Sequence, residues 1–235
     1  MIESINVIGA RGRVGKAVSA RLAERGVRLA PAAVADGVLL CVPDRAIAEV
    51  AATVPAGPWL GHVSGATPLA ALAPHTRRFG LHPLQTFTHE RGPEQLDGAF
   101  AAVTGETTEA VAFATSLAGT LGLRPFPLAE DARALYHCGA AIASNYLVTL
   151  YRAAARLFAV AGAPSEGLVP LMRRTIENDF ALTGPIDRGD WSTVERHLEV
   201  LVGAAPELLP LYETLARATA GQAGVGLPDR LGVPA

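Results

Sequence analysis

Lysine is almost absent from this chain: Lys16 is the single one among 20 basic residues, and the rest are arginine. Cysteine is scarce too. Cys41 and Cys138 fall in an apolar strand-like run and a helix-like run, which excludes a disulfide framework and offers no zinc spacing, so both are expected as reduced packing residues. His62, His75, His89 and His197 show no HExxH or other ligand pattern, and no metal site is expected. A formal net charge of -2 leaves no basic face for nucleic acid or an anionic membrane. No apolar run approaches the ~20 residues that span a bilayer. The opening MIESINVIGARG lacks the basic-then-apolar layout of a leader, so the cytoplasm is the expected compartment and a small molecule the expected partner. Apolar residues are plentiful. Half of the 235 residues are hydrophobic and 18% are charged, which suits a well-packed chain of two modest domains.

Ile5 to Ile8 is a short apolar run ending at glycines, and Val14 to Arg25 then has apolar residues at helical spacing until Gly26. Val38 to Val42 reads as a parallel strand buried on both faces, stopped by Pro43, with Asp44 placed to cap a following helix. Further strands are predicted at Trp59 to Val63, Arg78 to Leu81, Phe100 to Thr104 and Leu123 to Pro127, with a helix over Thr107 to Leu121. This alternation predicts an α/β, doubly wound parallel sheet over residues 1–128. After Leu128 no strand pattern remains, and residues 129–235 are predicted all-helical. The first helix there is expected to run from Glu130 to Ala161, nearly apolar all round from Ala140 onward, and to need cover from its neighbours and a second subunit. A homodimer is therefore expected. Ser192 and Glu195 have capping-box spacing, and a frayed tail is expected from Gly221.

The turn Gly9-Ala10-Arg11-Gly12-Arg13-Val14-Gly15 lies between a strand and a helix. Glycines there let the backbone approach a pyrophosphate, and the free amides and dipole of the helix favour its charge. The spacing is GxxGxxG, one residue longer before Gly12 than the usual dinucleotide pattern. A complete site also needs an acidic group for a ribose 2′-hydroxyl, or a basic one for a 2′-phosphate, at the end of the second strand. Asp36 stands at that distance but precedes a strand, and reads as a turn residue. Only Val27 to Gly37 separates the first helix from the strand at Val38, so the second βα unit is shortened. Arg11, Arg13 or Arg28 could grip a 2′-phosphate, favouring NADP with NAD as the alternative; solvated surface arginines are the competing reading.

On an ideal helix Arg133, His137 and Ser144 fall within about 40° of one another. Such a stripe on an apolar helix must meet a polar partner or a ligand cleft. Asn145 lies at its edge. His82 follows a predicted strand at the end where α/β sheets bind ligands, and its proton affinity suits acid–base work. Ser64-Gly65 follows another strand and could offer a hydroxyl and amides to a nucleotide or substrate, whereas no base and orienting acid can be assigned to Ser64 for a serine hydrolase.

The order of several motifs, GRVG at Gly12, VLLCVPDRAI at Val38, HVSGA at His62, LHPLQTF at Leu81, ALYHCGAAIASNYL at Ala134 and ALTGPIDRGD at Ala181, resembles the Rossmann-like proteins with a helical C-terminal domain of unknown function. These are similar to 6-phosphogluconate dehydrogenase in architecture and to an alternative type of ketopantoate reductase. The resemblance implies an NAD(P)-dependent oxidoreductase acting on a small carbonyl or imine, with ketopantoate as the named expectation. It implies cofactor contacts from Gly9, Gly12, Arg13, Val14, Gly15, Val42, Pro43, Ser64 and Gly65, and a substrate near His82, Arg133, His137, Asn145 and Thr183. Arg133 stands where relatives carry lysine; it is expected to clamp a carboxylate or oxyanion, leaving His82 or His137 to give the proton. A non-catalytic nucleotide- or ligand-binding regulator is the alternative.

Overall fold

The computed structural model describes residues 2–228 and 231. Compactness divides the chain into two units, residues 1–144 and 145–235. In the first, the strands β1 (Ser4–Ile8), β2 (Arg28–Leu29), β3 (Gly37–Leu40), β4 (Trp59–His62), β5 (Arg78–Pro83), β6 (Phe100–Gly105) and β7 (Arg124–Pro127) form one sheet in the order β2-β1-β3-β4-β5-β6-β7. It is a Rossmann-like α/β fold. The helices α1 (Arg13–Glu24), α2 (Ile47–Ala51) and α3 (Thr108–Thr120) cover it. Every residue of β3 is buried, because the strand is packed on both faces: Leu39 joins a core with Val18, Leu22, Phe79 and Leu117, while Val38 and Leu40 join one with Ile47, Leu60 and Leu69.

One expectation changes here, and the shortened second βα unit is borne out. The sheet is mixed rather than fully parallel, since β6 runs antiparallel to β5, with Leu81 opposite Val103 and His82 opposite Ala102; β7 then pairs parallel to β6. A parallel return needs a crossover element, and the link after Pro83 holds only a short 3-10 turn at Pro93–Leu96, so the chain comes back as a wide hairpin. The second βα unit is reduced but present: β2 is a two-residue edge strand on β1, followed by a 3-10 turn at Ala32–Val34. Asp36 is indeed spent on structure. Its carboxylate accepts from the amides of Glu3 (2.8 Å) and Ser4 (2.9 Å), which holds its pKa below the ordinary value and ties the start of β1 to β3.

The last strand ends at Pro127. The boundary between units nevertheless falls at Ser144, not Leu128, because α4 (Arg133–Ala141) stays with the sheet through the buried side chain of Arg133. The expected long helix is broken into α4, a π-helical turn at Ile142–Tyr146 and α5 (Leu147–Val160). A π turn adds a residue to the local repeat and shifts the phase, so the angles predicted for Ser144 and Asn145 no longer follow from Arg133.

The second unit contains α5, α6 (Leu168–Glu177), α7 (Trp191–Ala204) and α8 (Leu209–Ala223). Its core is Val194, Leu198 and Ala216, with Trp191 and Tyr212 packed against them. Asp190, rather than the predicted Ser192, caps α7 by accepting from the Thr193 amide at 3.2 Å. The tail expected from Gly221 is helical to Ala223, where Gly224 closes α8 in the left-handed conformation; residues 229, 230 and 232–235 lie outside the described residues. No described helix is long and apolar enough to cross a membrane.

Candidate functional site

The chain enters the sheet at β1, steps outward to β2 and returns on the other side at β3. This reversal leaves a crevice above the C-terminal ends of β1 and β3. Gly9 and Gly15 fill its floor. A Cβ on Gly9, which has φ of 91°, would collide with the carbonyl of Cys41 and stand 3.2 Å from Val42 Cγ1; one on Gly15 would collide with the Gly9 carbonyl. Gly12 caps α1 without a side chain, donating its own amide to Gly9 O at 2.9 Å, and the first turn holds no acidic residue. The amides of α1 thus open onto a surface of bare backbone. Such a cradle fits a pyrophosphate. Arg11 and Arg13 are exposed beside it, Val14 packs partly into the core, and Val42 and Pro43 form the facing loop.

A second cluster gathers on β5 and α4. His82 Nδ1 is 2.8 Å from the Tyr136 hydroxyl, and its ring meets those of Tyr136 and His137 edge-on at 5.5 and 5.9 Å. Gly65, in the loop after β4, makes room for both imidazoles: a Cβ there would lie 2.6 Å from His137 Cδ2 and 2.9 Å from His82 Nε2. Burial, then the neighbouring His137 and Arg133, push the His82 pKa down to about 4, and burial raises that of Tyr136. Both are therefore neutral at pH 7. Tyr136 was not among the predicted site residues; its signal was its place three residues after Arg133, next to His137, in ALYH.

Arg133 does not do what was expected of it. Its side chain is fully buried, donating through Nε to Thr67 O (3.1 Å), through Nη1 to Thr104 Oγ1 (3.1 Å) and through Nη2 to the Ser64 carbonyl. The guanidinium pins the loop after β4 to β6 and is not presented to a ligand. Ser64 is likewise committed: its hydroxyl donates to Asp44 (2.8 Å) and accepts from the amides of Ala66 and Thr67. Asp44 accordingly does not cap a helix. Behind this network His62 is wholly buried with both ring nitrogens unpartnered, and burial with the Arg133 charge lowers its pKa to about 4.

Asn145 and Thr183 belong to the second unit, where both are exposed; the Thr183 carbonyl accepts from Arg188 at 2.5 Å. Cys138 is free and exposed, contrary to its expected packing role; Cys41 is half-buried. No group of three or more His, Cys, Asp or Glu among the described residues is placed to hold a metal.

A family model described as a domain of unknown function, DUF2520, matches residues 99–219, just over half of the chain. The chain belongs to the DUF2520 family. Solved structures extend the likeness of this DUF2520 protein beyond the matched segment. A Bacteroides fragilis protein provisionally assigned as an NADP oxidoreductase superposes with a TM-score of 0.78 at 23% identity, over 94% of this chain and 98% of the other. A Thermotoga maritima protein gives 0.74 at 23%, over 93% and 97%. A semialdehyde dehydrogenase NAD-binding protein from Cupriavidus necator, solved with calcium and NAD, gives 0.61 at 19%, over 91% and 99%. At these identities the likeness establishes the Rossmann-like fold. The sequence matches no curated protein.

Proposed function

We propose that this DUF2520 protein is an NAD(P)H-dependent reductase of a small carbonyl or imine, with NADPH preferred. The observation that carries the reading is the glycine cradle at the sheet reversal, where neither Gly9 nor Gly15 tolerates a side chain and α1 opens uncapped. Gly9, Gly12 and Gly15 would hold the pyrophosphate, with Arg13, Val14, Val42, Pro43 and Gly65 around the rest of the dinucleotide. The structural relatives that carry NAD or NADPH share this fold, and they support the reading at the level of the fold. Bound NADPH supplies the two electrons and one hydrogen that reduce the carbonyl carbon, and the oxygen takes up a proton.

The chain's own part falls to β5 and α4. With the Tyr136 hydroxyl donating to Nδ1, the proton of neutral His82 sits on Nε2, on the side of Gly65 and the His137 ring. That N–H can hold a substrate oxygen as a neutral donor, and His137 beside it is the group to deliver the proton. Ser64 and Arg133 act at one remove by fixing the loop that carries Gly65. NADPH preference follows from the shortened second unit: β2 is followed by Ala30-Pro31-Ala32-Ala33, so no carboxylate opposes a 2′-phosphate, and Arg11 and Arg13 are exposed nearby. Ketopantoate, the substrate expected from the resemblance, would need a carboxylate partner other than Arg133.

Separate titrations with NADPH and NADH test the reading. Saturating NADPH should raise the melting temperature and quench its own fluorescence, with weaker effects from NADH; no response to either nucleotide sinks the proposal. The committed guanidinium and the short β2 also suit a nucleotide-binding regulator without turnover, which NADPH oxidation lost on His82→Ala or His137→Ala would exclude. We further propose a homodimer, because no residue of α5 is buried within the single chain although Leu147, Val148 and Leu150 stand on it.

A further inference from the structure

We infer that Asp44 is a positioning residue that couples the nucleotide cradle to the pair His82 and His137. Its carboxylate sets the loop whose Gly65 packs on both imidazoles, so that filling the cradle is felt where the proton is delivered. The inference rests on nucleotide binding at the glycine cradle and extends it to regulation of the same site.

Two loops meet through one hydrogen bond. The first follows β3 and faces the cradle: Val42 Cγ1 would stand 3.2 Å from a Cβ on Gly9, and Pro43 and Asp44 come next. Asp44 opens a 3-10 turn, Asp44–Ala46, but Pro43 holds the cap position and no side chain caps the turn. The carboxylate is spent twenty residues away, accepting from the Ser64 hydroxyl at 2.8 Å. A carboxylate acceptor makes such a bond about twice as strong as a neutral one. The second loop follows β4. There Ser64 Oγ accepts from the amides of Ala66 (3.2 Å) and Thr67 (2.9 Å), so the hydroxyl that Asp44 holds also sets the turn of the loop. The next residue after Ser64 is Gly65, where a Cβ would lie 2.6 Å from His137 Cδ2 and 2.9 Å from both Cε1 and Nε2 of His82. Its backbone and the two rings are thus in contact, and a shift of one moves the other.

The two ends of this loop are held differently. From α4 and the turn before it, Arg133 donates to the Ser64 and Thr67 carbonyls, and Glu130 Oε1 accepts from the Leu69 amide at 2.6 Å. Arg133 is fully buried, so this end is fixed, whereas Asp44 is exposed on the loop that faces the cradle. The bond from Ser64 to Asp44 is therefore the tie that a nucleotide can move. The loop also has a second arrangement within reach. Behind it His62 is wholly buried with both ring nitrogens unpartnered, leaving unmade hydrogen bonds that a displaced loop can satisfy.

NMR of the whole protein carrying isotope-labelled histidine reads the imidazoles, with His82→Ala and His137→Ala assigning their signals. The probe is ADP, which brings a pyrophosphate to the cradle and no nicotinamide ring to lie against the imidazoles. ADP should shift the His82 and His137 signals of the unaltered protein. The shift should be lost in Asp44→Ala and kept in Asp44→Asn, whose amide oxygen still accepts from Ser64, while calorimetry shows ADP bound to all three. Circular dichroism checks that both variants fold. Bound ADP that leaves the rings unmoved, an Asp44→Ala protein that keeps the shift or no longer binds ADP, or an Asp44→Asn protein that loses the shift overturns the inference. The nucleotide reading is judged apart: absence of binding by ADP and NADPH alike removes it and this inference with it, whereas bound ADP without a shift removes the inference alone. A shift relayed through Asp44 in a protein that oxidises no NADPH supports the coupling and counts for the regulator without turnover.

Discussion

At the scale of single residues, the glycines and Arg133 show opposite kinds of legibility. Gly9, Gly12 and Gly15 could be read directly, since only their lack of a side chain matters, and the structure adds that they are unequal. Gly15→Ala places a methyl against the Gly9 carbonyl and should cost about 2 kcal/mol or more, with loss of NADPH binding. Gly12→Ala, where the nearest neighbour would be 3.3 Å away, should fold nearly normally. Urea denaturation of the two variants distinguishes them. Arg133 belongs to a polar stripe, and the structure commits its guanidinium to Thr67, Thr104 and Ser64. Whether a guanidinium meets a ligand or a backbone carbonyl depends on a loop nearly seventy residues away in sequence, which no local pattern encodes. Arg133→Ala leaves two carbonyls and the Thr104 hydroxyl without their donor inside a cavity, so a loss of about 3 kcal/mol or more is expected; unchanged stability with lost turnover would restore the ligand role. Thiol labelling should find Cys138 fast and Cys41 slow, as burial pushes the Cys41 thiol up to about 12.

At the scale of elements, strands and helices whose apolar pattern was strong appear within a residue or two of where the sequence puts them, from β1 and α1 to β7. What could not be read is how they join. The reversal of β6 is decided by the short link after Pro83 and by pairing with β5, and the π turn after Ala141 by packing, neither of which leaves a periodic mark. Placement also sets proton affinity. His62 and His82 both titrate near 4 in the folded chain against 6.5 for the free side chain, because burial disfavours the cation. The unfolded chain therefore binds more protons between pH 6.5 and 4, and stability should fall as pH drops through that window while staying flat just above it. The loss reaches at most about 3 kcal/mol for the fully buried His62. Urea midpoints measured from pH 7.5 to 4.5 check this, and His62→Phe should flatten part of the slope.

At the scale of the whole molecule, exposed apolar side chains gather on the helices of the second unit, among them Leu147, Val148, Leu171, Ile176 and Val200. A dimer covering α5 is expected, so light scattering should give twice the chain mass, and Leu147→Glu with Val148→Glu should shift it toward the monomer; a monomeric mass for the unaltered protein would count against it. By itself the sequence determined the elements, the change from α/β to all-α near Leu128 and the glycine turn after β1, because hydrophobic period and glycine act over a few residues. Only the tertiary structure decided that β2 survives as two residues, that Arg133 and Ser64 hold a loop, and that Tyr136 and not Arg133 meets His82. Those outcomes depend on which distant backbone groups remain unsatisfied once the strands are in register, and that is settled by packing across the sheet.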